Sequence, residues 1–557
     1  MRHVLVSTST AVVVGATLLT VPVRAEPQAE QEYVVLYEEG AAPDAARAAV
    51  RAAGGRVVEE NTALGIAMVR TTDRRFLQRV DAASLLEGAT TNRVVGALPG
   101  AAEKFANSPE RLFGTGAPPS PPKPRPRTRK EPLNALQWNL RQIGADRLHR
   151  LERGDRRVLV GVMDTGIDGD HPDIAPNFNR KLSRNFTVDV PTDANGKKLD
   201  GPCSEESDKS CKDPVDVDEN EHGTHVASTI ASPRNGKGVA GVAPNVSLVN
   251  LRTGQDSGYF FLKPTLDALA YAADKGIDVV NMSYYIDPWA WNCLDNPADS
   301  AEDRLQQKTV IEATNRALRY AHRKGVTLIS AAGNGQADYS KEVTDASSPN
   351  FAVKAGQKPR ERKIPPSCVS QPSEGDHVIS VSSTGPTRRK SYFSSYGLGY
   401  VMFAAPGGDK LDNRARKVDD KGGIWAAYPE NVARENNRLD AKGKPTVSYV
   451  IRQGGAYYVS LQGTSMAAPH VAGVAALIIS RFGRPAPGGG LTMDPRKVTA
   501  RLRASAVPRP CPTPANHKYE WVTATGETGS TTQKCEGTRA RNGFYGVGIV
   551  NAVRAVR

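Results

Sequence analysis

The sequence predicts an α/β protein with a doubly wound, mostly parallel sheet, preceded by a small α+β domain. From position 134 onwards, apolar runs such as VLVGVM at 158–163 are continuous, as expected for strands buried on both faces of a sheet. Helical patterns such as LKPTLDALAYAADKG separate several of these runs, which indicates strand–helix alternation. A shorter set of strand and helix patterns at 32–98 predicts the separate small domain.

The N-terminus has the features of an export signal. Arg2 precedes the apolar run TAVVVGATLLTV at 10–21, and VRA, ending at Ala25, fits a signal peptidase site. The run is shorter than the ~20 residues of a membrane span, which favours a cleaved signal peptide at 1–25 over an uncleaved anchor. No later segment is apolar enough to span a bilayer. We therefore predict a secreted, extracellular protein without stable membrane insertion.

The small domain is predicted at 26–99, in the order strand, helix, strand, strand, helix, strand (βαββαβ). Residues 100–133 are rich in Pro, Gly, Lys and Arg and predict an extended linker to the main domain at 134–557. The formal net charge is +14, and part of it lies in KPRPRTRK at 123–130 of this linker. Because no recognition motif accompanies the charge, nucleic acid is not an expected partner.

Two long polar stretches interrupt the main domain. Residues 185–219 and 408–460 are predicted to be surface insertions, and long ordered loops of this kind are often functional.

The chain has six cysteines, an even number that suggests disulfides in an exported protein. Cys203/Cys211 and Cys511/Cys535 are close pairs along the chain, which leaves Cys293 with Cys368 as the expected third bridge.

Three segments each place one polar side chain at the edge of a predicted element. Asp164 follows the strand in VGVMDTGID, His222 begins a small-residue helix in HGTHVASTIAS, and Ser465 begins an apolar helix in GTSMAAPH. Singly, each residue has a structural explanation, such as a helix N-cap for Ser465. Together they match the needs of acyl transfer, since a serine nucleophile requires a histidine base and an acid that orients it. Asn334, after the strand in SAAGNG, adds an amide that could donate to an oxyanion.

A metal site fits these segments less well. His222 and His225 lie three residues apart, but no third ligand follows in register. The acidic run DVDENE at 216–221 lacks the glycine and the distant glutamate of an EF-hand calcium loop. We therefore predict no metal at the catalytic residues and no required cofactor.

In this order the motifs resemble those of the subtilisin-like serine peptidases (subtilases) of bacterial secreted type, over 134–557. Asp164, His222, Ser465 and Asn334 correspond to the family's DTGID, HGTHVA, GTSMAAPH and AAGN residues. The resemblance implies a monomeric serine endopeptidase that forms an acyl-enzyme with protein or peptide substrates, with Asn334 as oxyanion donor. It also implies that the small domain is an inhibitory propeptide of a self-processing precursor.

The resemblance further implies where a substrate binds. One edge of the cleft would be the backbone at Ser283 and Tyr284, and the other edge would be Ser257 and Gly258 in DSG. An extended peptide would add between these edges as a strand. Ala331, Ala332 and Gly333 would line the pocket for the residue before the cleaved bond.

The sequence departs from the family pattern at several positions. Tyr285 occupies a position where relatives commonly have glycine, and it is expected to crowd the cleft. The insertion at 408–460 is long for the family. Asp173 and the loop RNGKGVAG at 234–241 correspond to a calcium site of some relatives, but the loop lacks the extra acids of strong binders. Structural calcium therefore stays possible.

Two alternatives to a general endopeptidase remain. The insertions and Tyr285 favour a processing peptidase of narrow specificity. A catalytically inactive binding protein on the subtilase fold would require a broken set of catalytic residues, whereas all four positions carry competent side chains. Digestion of denatured casein distinguishes a general endopeptidase from a processing peptidase. Labelling by a fluorophosphonate distinguishes an active enzyme from an inactive binding protein.

Overall fold

The computed structural model describes residues 30–92, 109–118, 131–192, 198–205, 209–349, 360–486, 489–522 and 526–557. The predicted signal peptide at 1–25 and the basic run at 123–130 lie outside the described residues.

The N-terminal unit has the predicted βαββαβ order. Its elements are β1 (Gln31–Tyr37), α1 (Pro43–Ala52), β2 (Arg56–Asn61), β3 (Ile66–Thr71), α2 (Phe76–Asp81) and β4 (Leu86–Thr91). The strands form an antiparallel sheet in the order β2-β3-β1-β4. Alternate residues of β1 serve two cores, because strand side chains point to opposite faces. Tyr33 and Val35 pack with α1 and α2, whereas Val34 and Leu36 pack against the main domain.

The main domain is built on a seven-stranded sheet. Its strands are β5 (Leu159–Met163), β6 (Arg184–Asn185), β7 (Ser247–Arg252), β8 (Val279–Met282), β9 (Thr327–Ala331), β12 (Ile379–Thr384) and β13 (Phe403–Pro406). The order is β13-β12-β9-β8-β5-β7-β6, and every neighbouring pair is parallel. Because β7 and β8 lie on opposite sides of β5, the winding reverses at β5. The carboxyl end of β5 is therefore a switch point, where ligands of such sheets bind.

Helices cover both faces of this sheet, as the apolar runs predict. One face carries α5 (His222–Ala231) and α9 (Thr464–Phe482), and the other carries α6 (Leu262–Asp274) and α7 (Ala301–Arg323). The remaining helices are α3 (Trp138–Ile143), α4 (Ala145–Leu148), α8 (Glu430–Glu435), α10 (Pro495–Ser505) and α11 (Ala552–Ala555). Short strand pairs complete the fold: β10 (Val343–Asp345) with β11 (Arg362–Ile364), β17 (Arg484–Pro485) with β18 (Leu491–Thr492), and β19 (Asn516–Val522) with β20 (Thr528–Lys534).

Helix α9 is apolar enough in length and composition to cross a membrane, which the sequence interpretation did not anticipate. Most of its apolar window is buried inside the protein, however, where it packs on α5 and on the sheet. Its composition is therefore that of a core helix.

The insertion at 408–460 is not the surface insertion that its charge suggested. It contains β14 (Ile424–Tyr428), β15 (Val450–Gln453) and β16 (Ala456–Leu461), which form an antiparallel sheet in the order β14-β16-β15. Trp425, Tyr457 and Tyr458 are buried, and β14 packs against α5. The aromatic and β-branched residues of these strands outweigh the charged turns between them, so the segment folds into the core.

All three predicted disulfides are present. They join Cys203 to Cys211, Cys293 to Cys368 and Cys511 to Cys535.

Candidate active site

Asp164 and His222 are joined across the end of β5. Asp164 directly follows this strand and is fully buried, and His222 is the first residue of α5. The Nδ1 atom of His222 lies 2.7 Å from Oδ1 of Asp164, which also accepts a 2.8 Å hydrogen bond from the backbone N–H of Thr165. This arrangement places the proton of the neutral ring on Nδ1, so that Nε2 is the nitrogen that can act as a base.

The charge around His222 is strongly negative. Burial disfavours the imidazolium form, but the carboxylates of Asp164, Glu110 and Glu221 outweigh burial and raise the pKa of His222 to about 9. Glu221 is itself buried next to the histidine, and its backbone has a φ of 83°, in the left-handed region that is unfavourable for a non-glycine residue. Strain of this kind is typical of functional sites, and here it occurs at the residue that leads into α5.

Ser465 is the second residue of α9, and a hydrogen bond from a neighbouring side chain fixes its backbone carbonyl. Pro469, inside the same helix, has no N–H to donate to the carbonyl of Ser465. The hydroxyl of Ser283 supplies the missing bond, at 3.1 Å from that carbonyl oxygen. Ser283 is therefore more than the backbone partner predicted from the sequence, because its side chain also positions the serine.

Asn334 follows β9, and its side chain has a fixed orientation. Its Oδ1 accepts hydrogen bonds from both the backbone N–H and the hydroxyl of Thr464, each at 2.9 Å. This turns Nδ2 towards Ser465, where it donates to the carboxylate of Glu110 at 2.7 Å. The side-chain amide of Asn334 thus donates to the same Glu110 oxygen that lies beside the hydroxyl of Ser465.

Glu110 was not predicted as a site residue, because it lies in the predicted linker. Its carboxylate occupies the centre of the site: Oε1 accepts a 2.5 Å hydrogen bond from the hydroxyl of Ser465, and Oε2 lies 3.6 Å from Nε2 of His222. A Cβ at Gly463 would lie 2.6 Å from Oε1, so only glycine leaves room for this oxygen. The motif SPERLFG gave no periodic or catalytic signal that could have identified it.

A cavity of about 430 Å³ adjoins Ser465. Five of the six predicted substrate-binding residues line it: Gly258, Ser283, Tyr284, Ala331 and Gly333. Ser257 lies outside the lining, and its backbone N–H donates to Asp200 at 2.6 Å. The ring of Tyr284 is buried and stacks on Phe260 at 4.1 Å, so this residue can offer its backbone to a peptide but not an open side chain.

The cavity also has lining residues that sequence reasoning missed. Tyr285 was expected to crowd the cleft, and it lies in the wall together with Trp291 and Tyr339. Tyr339 stacks on Tyr400 at 3.9 Å, and the hydroxyl of Tyr400 donates to the carbonyl of Ala332 at 2.8 Å. These aromatic residues come from loops without regular periodicity, so no pattern in the sequence singled them out.

Hydrogen bonds occupy most of the carboxylate oxygens at the suggested calcium site. Oδ2 of Asp173 accepts hydrogen bonds from the backbone N–H of Val239 at 2.9 Å and from the hydroxyl of Tyr458 at 2.8 Å. The nearby carboxylate of Glu131 accepts from the N–H of Gly236 at 2.7 Å. Hydrogen-bond donors therefore face Oδ2 of Asp173 and the carboxylate of Glu131, whereas Oδ1 of Asp173 is buried without a hydrogen-bond partner.

A second acidic cluster is neutralised by an arginine. Within the described chain, Asp189, Asp213 and Asp256 come close enough together to hold one cation. The buried guanidinium of Arg252 forms ion pairs with all three of them. The side chain of Arg252 thus supplies the positive charge that the cluster requires.

Fold and site together define a serine-type hydrolase. The subtilase family model (peptidase family S8) matches residues 155–548. The chain therefore belongs to the subtilase family and is a serine-type endopeptidase, and the predicted family and fold class are confirmed.

Individual relatives are similar at low identity. Subtilisin DY from Bacillus licheniformis is 27% identical over 347 residues, covering 62% of this chain and 85% of the relative. Subtilisin BL from Lederbergia lenta is 24% identical over 423 residues, covering 76% and 99%.

Solved structures share the fold. The epidermin leader peptide processing serine protease from Staphylococcus aureus has a TM-score of 0.58 at 18% identity, over 95% of this chain and 98% of that one. Fervidolysin from Fervidobacterium pennivorans has a TM-score of 0.54 at 21% identity, over 96% and 62%. At these identities the likeness concerns the fold alone.

Proposed function

We propose that the protein is a secreted serine endopeptidase, made as a self-processing precursor, in which Ser465 is the nucleophile. The observation that carries this proposal is the position of one Glu110 oxygen, 2.5 Å from the hydroxyl of Ser465 and 2.7 Å from Nδ2 of Asn334. A negatively charged oxygen is held at this point by the same groups that an oxyanion would need.

The hydrogen-bond geometry supports the following catalytic steps. Once Glu110 has left, Nε2 of His222 takes the proton of Ser465 as the hydroxyl attacks a peptide carbonyl, and Asp164 stabilises the imidazolium that forms. Asn334 donates to the oxyanion of the tetrahedral intermediate. His222 then protonates the leaving amine, which produces an acyl-enzyme. In the second half, His222 takes a proton from the water that attacks this ester and returns it to the oxygen of Ser465 as the ester bond breaks and the carboxylic acid product leaves.

The cavity beside Ser465 receives the residue before the cleaved bond. An extended substrate would pair with the backbone at Ser283 and Tyr284 on one side and with Ser257 and Gly258 on the other, as an added strand. Ala331 and Gly333 would contact the side chain that enters the cavity, which they line.

The N-terminal unit would act as the enzyme's own inhibitor until it is removed. Its sheet shares a hydrophobic core with α6 and α7, which supports a role in folding and storage of the precursor. Export would precede activation, in keeping with the three disulfides of the chain. The active form is proposed to be a monomer.

Two measurements on protein purified from culture medium test this function. A fluorophosphonate probe should label Ser465 in the wild-type protein, and peptide mapping should locate the label there. N-terminal sequencing should show that the signal peptide and the 30–92 unit have been removed. Absence of labelling, in a preparation where a control serine peptidase is labelled, would contradict the proposal.

A narrower role as a processing peptidase is the second candidate. The observation in its favour is that the insertion at 408–460 binds a specific segment of the chain next to Ser465, as the contacts of Phe113 and Gly114 show. Digestion of denatured casein distinguishes the roles, since a general endopeptidase would cut it at many sites and a processing enzyme at few.

A further inference from the structure

Residues 109–118, which we call the docked segment, cross the catalytic serine. At one end, Pro109 and Glu110 line the cavity beside Ser465. Their backbone carbonyls accept hydrogen bonds from Gln462, at 2.8 Å from its side chain and 3.4 Å from its backbone N–H. From there the segment reaches Phe113 and Gly114, which contact the insertion. The segment thus leads from the cavity beside Ser465 to the insertion, and a substrate whose acyl half fills the cavity would place its leaving group along the same path.

Arg111 is bound by a buried acid at the start of this path. Its guanidinium forms a 2.7 Å ion pair with Glu221, which is only 5% exposed. A buried carboxylate without a positive partner is unfavourable, so this position selects a basic side chain.

Phe113 occupies an aromatic slot of the insertion. Its ring is stacked on Tyr449, with centroids 3.8 Å apart and planes 13° apart, and the Nζ atom of Lys410 lies 4.7 Å from the ring centroid. Lys410 is fully buried and is held by Asp420 at 3.0 Å and by the carbonyl of Ser460 at 2.9 Å. Stacking and cation–π contact both require an aromatic ring here.

Gly114 is held through its backbone on both sides. Its N–H donates to Asp420 at 3.3 Å, and its carbonyl accepts from the hydroxyl of Ser448 at 3.0 Å. A Cβ at this position would lie 2.7 Å from Oδ2 of Asp420, closer than side-chain contacts allow. The site therefore favours glycine directly after the aromatic residue.

We propose that the leaving-group wall, formed by Glu221, Lys410, Asp420, Ser448 and Tyr449, selects substrates by the residues that follow the cleaved bond. The preferred sequence after the cleaved bond is any residue at the position of Glu110, then a basic residue, any residue, an aromatic residue and glycine. The docked segment occupies this wall in the precursor with its own Arg-Leu-Phe-Gly sequence, while the Glu110 side chain fills the oxyanion position. This inference rests on the proposed function, because it concerns the substrates of Ser465.

Quenched fluorescent peptides test the wall directly. All share one acyl half, taken from the best cut in a casein digest, followed by Ala-Arg-Leu-Phe-Gly. Comparison peptides change Arg to Glu, Phe to Ala, or Gly to Ala, and mass spectrometry of the products confirms that each is cut at the same bond. Each change should lower kcat/KM about tenfold for the secreted wild-type protein. Rates within twofold of one another would overturn the inference.

Two enzyme variants give crossed controls. Glu221→Gln should abolish the preference for Arg over Glu and keep the preference for Phe over Ala. Tyr449→Ala should abolish the preference for Phe over Ala and keep the preference for Arg over Glu. Both ratios are internal to one variant, so a change in overall rate does not affect them. If Tyr449→Ala is not secreted, the Phe and Ala peptides with the wild-type protein still decide.

Labelling by the fluorophosphonate separates this inference from the proposed function. Labelled protein that cuts all four peptides equally would overturn the selectivity of the wall and leave the endopeptidase in place. Unlabelled, inactive protein would overturn the proposed function and the inference with it.

Discussion

The N-terminal part of the chain contacts the peptidase domain in two different ways. The 30–92 unit lies on α6 and α7 through a shared apolar core, in which Val34 and Leu36 pack with Leu266 and Val310. The docked segment instead contacts Ser465, Asn334 and His222 through charge and single hydrogen bonds, chiefly those of Glu110. The first contact is broad and distant from the chemistry, and the second is narrow and lies on it.

The apolar contact holds the 30–92 unit on the peptidase domain, whereas the contact of Glu110 blocks the site at Ser465. Apolar burial stabilises a contact in proportion to its area and responds little to pH. A carboxylate between a serine, an amide and a histidine depends on the protonation and identity of each group. The two contacts should therefore respond to different changes, and each prediction below affects one of them more than the other.

Ser465→Ala should have the largest effect. Loss of the nucleophile is expected to lower kcat by about 10⁶-fold, the value known for a subtilisin, and to leave the precursor uncleaved while the contact of the 30–92 unit persists. Intact mass of the secreted protein and hydrolysis of a peptide anilide measure both effects. Ser530→Ala, at an exposed position of β20, is the control. A processed, active Ser465→Ala protein would remove this residue from the mechanism.

Asn334→Ala should act on the catalytic contact alone. The expected loss in kcat is about 10²–10³-fold with little change in KM, the range known for one oxyanion donor of a subtilisin. The substitution also removes the 2.7 Å bond to Glu110, so the docked segment should exchange its amide hydrogens faster. Asn437→Ala, at an exposed position, serves as the control. Unchanged turnover would argue against the oxyanion role.

Arg316→Ala should weaken the other contact. Arg316 forms an ion pair with Glu87 and donates to the carbonyl of Tyr37 at 2.8 Å, both in the 30–92 unit. In a Ser465→Ala background, amide exchange of β1 to β4 should become about 10–100-fold faster, as expected for loss of a partly buried interface charge. Arg319→Ala is the matched control, because Arg319 lies on the same helix and pairs with Asp376 at 2.7 Å. Equal exchange in both variants would contradict the assignment.

Glu110→Gln should change the pH dependence of the blocked site. Glu110, with Asp164 and Glu221, raises the pKa of His222 to about 9, whereas Arg111 compensates part of the charge of Glu221. A raised pKa means that the docked state gains stability while His222 is protonated and loses it as pH rises through about 9. Full-chain protein should therefore gain activity in alkaline solution.

The same variant should shift the pH at which the full chain becomes active. Without the Glu110 carboxylate the pKa of His222 in the docked, unprocessed chain falls, so His222 loses its proton, and the docked state loses its stability, at lower pH. Glu38→Gln, at an exposed position of the 30–92 unit, is the control. Superimposable pH profiles of Glu110→Gln and wild type would contradict the ion pair.

Chelation should have the smallest effect. Because the hydroxyl of Tyr458 and the N–H of Val239 both donate to Oδ2 of Asp173, removal of calcium by EDTA is expected to leave Tm unchanged. A subtilisin-type relative that requires calcium, treated in parallel, provides the control. A fall of several degrees would contradict this expectation.

The sequence predicted the fold class well, because buried parallel strands are continuous apolar runs and the helices between them have a clear period. The contents of the site were also predictable for the residues at strand and helix ends, such as Asp164, His222, Asn334 and Ser465. These positions follow from local patterns and from chain order, and the structure brings all four together.

Long-range placement was not predictable. Glu110 lies in a segment whose composition is that of a linker. Only the fold brings it into contact with Ser465, from which it is separated by 355 residues in the sequence. The insertion at 408–460 was misjudged for a related reason, since its charged turns hide three short strands with buried aromatic residues. Composition averages over a segment, whereas burial is decided side chain by side chain.

The Cys293–Cys368 bridge links pocket shape to redox environment. It closes a 75-residue separation and packs against Trp291, a wall residue of the cavity, while Ser370, another wall residue, follows Cys368 by two positions. In a reducing compartment this crosslink does not persist. A chain synthesised there would acquire the final form of this cavity only after it reaches an oxidising environment. The compartment in which the molecule lies would therefore determine when the cavity reaches the form that selects substrates.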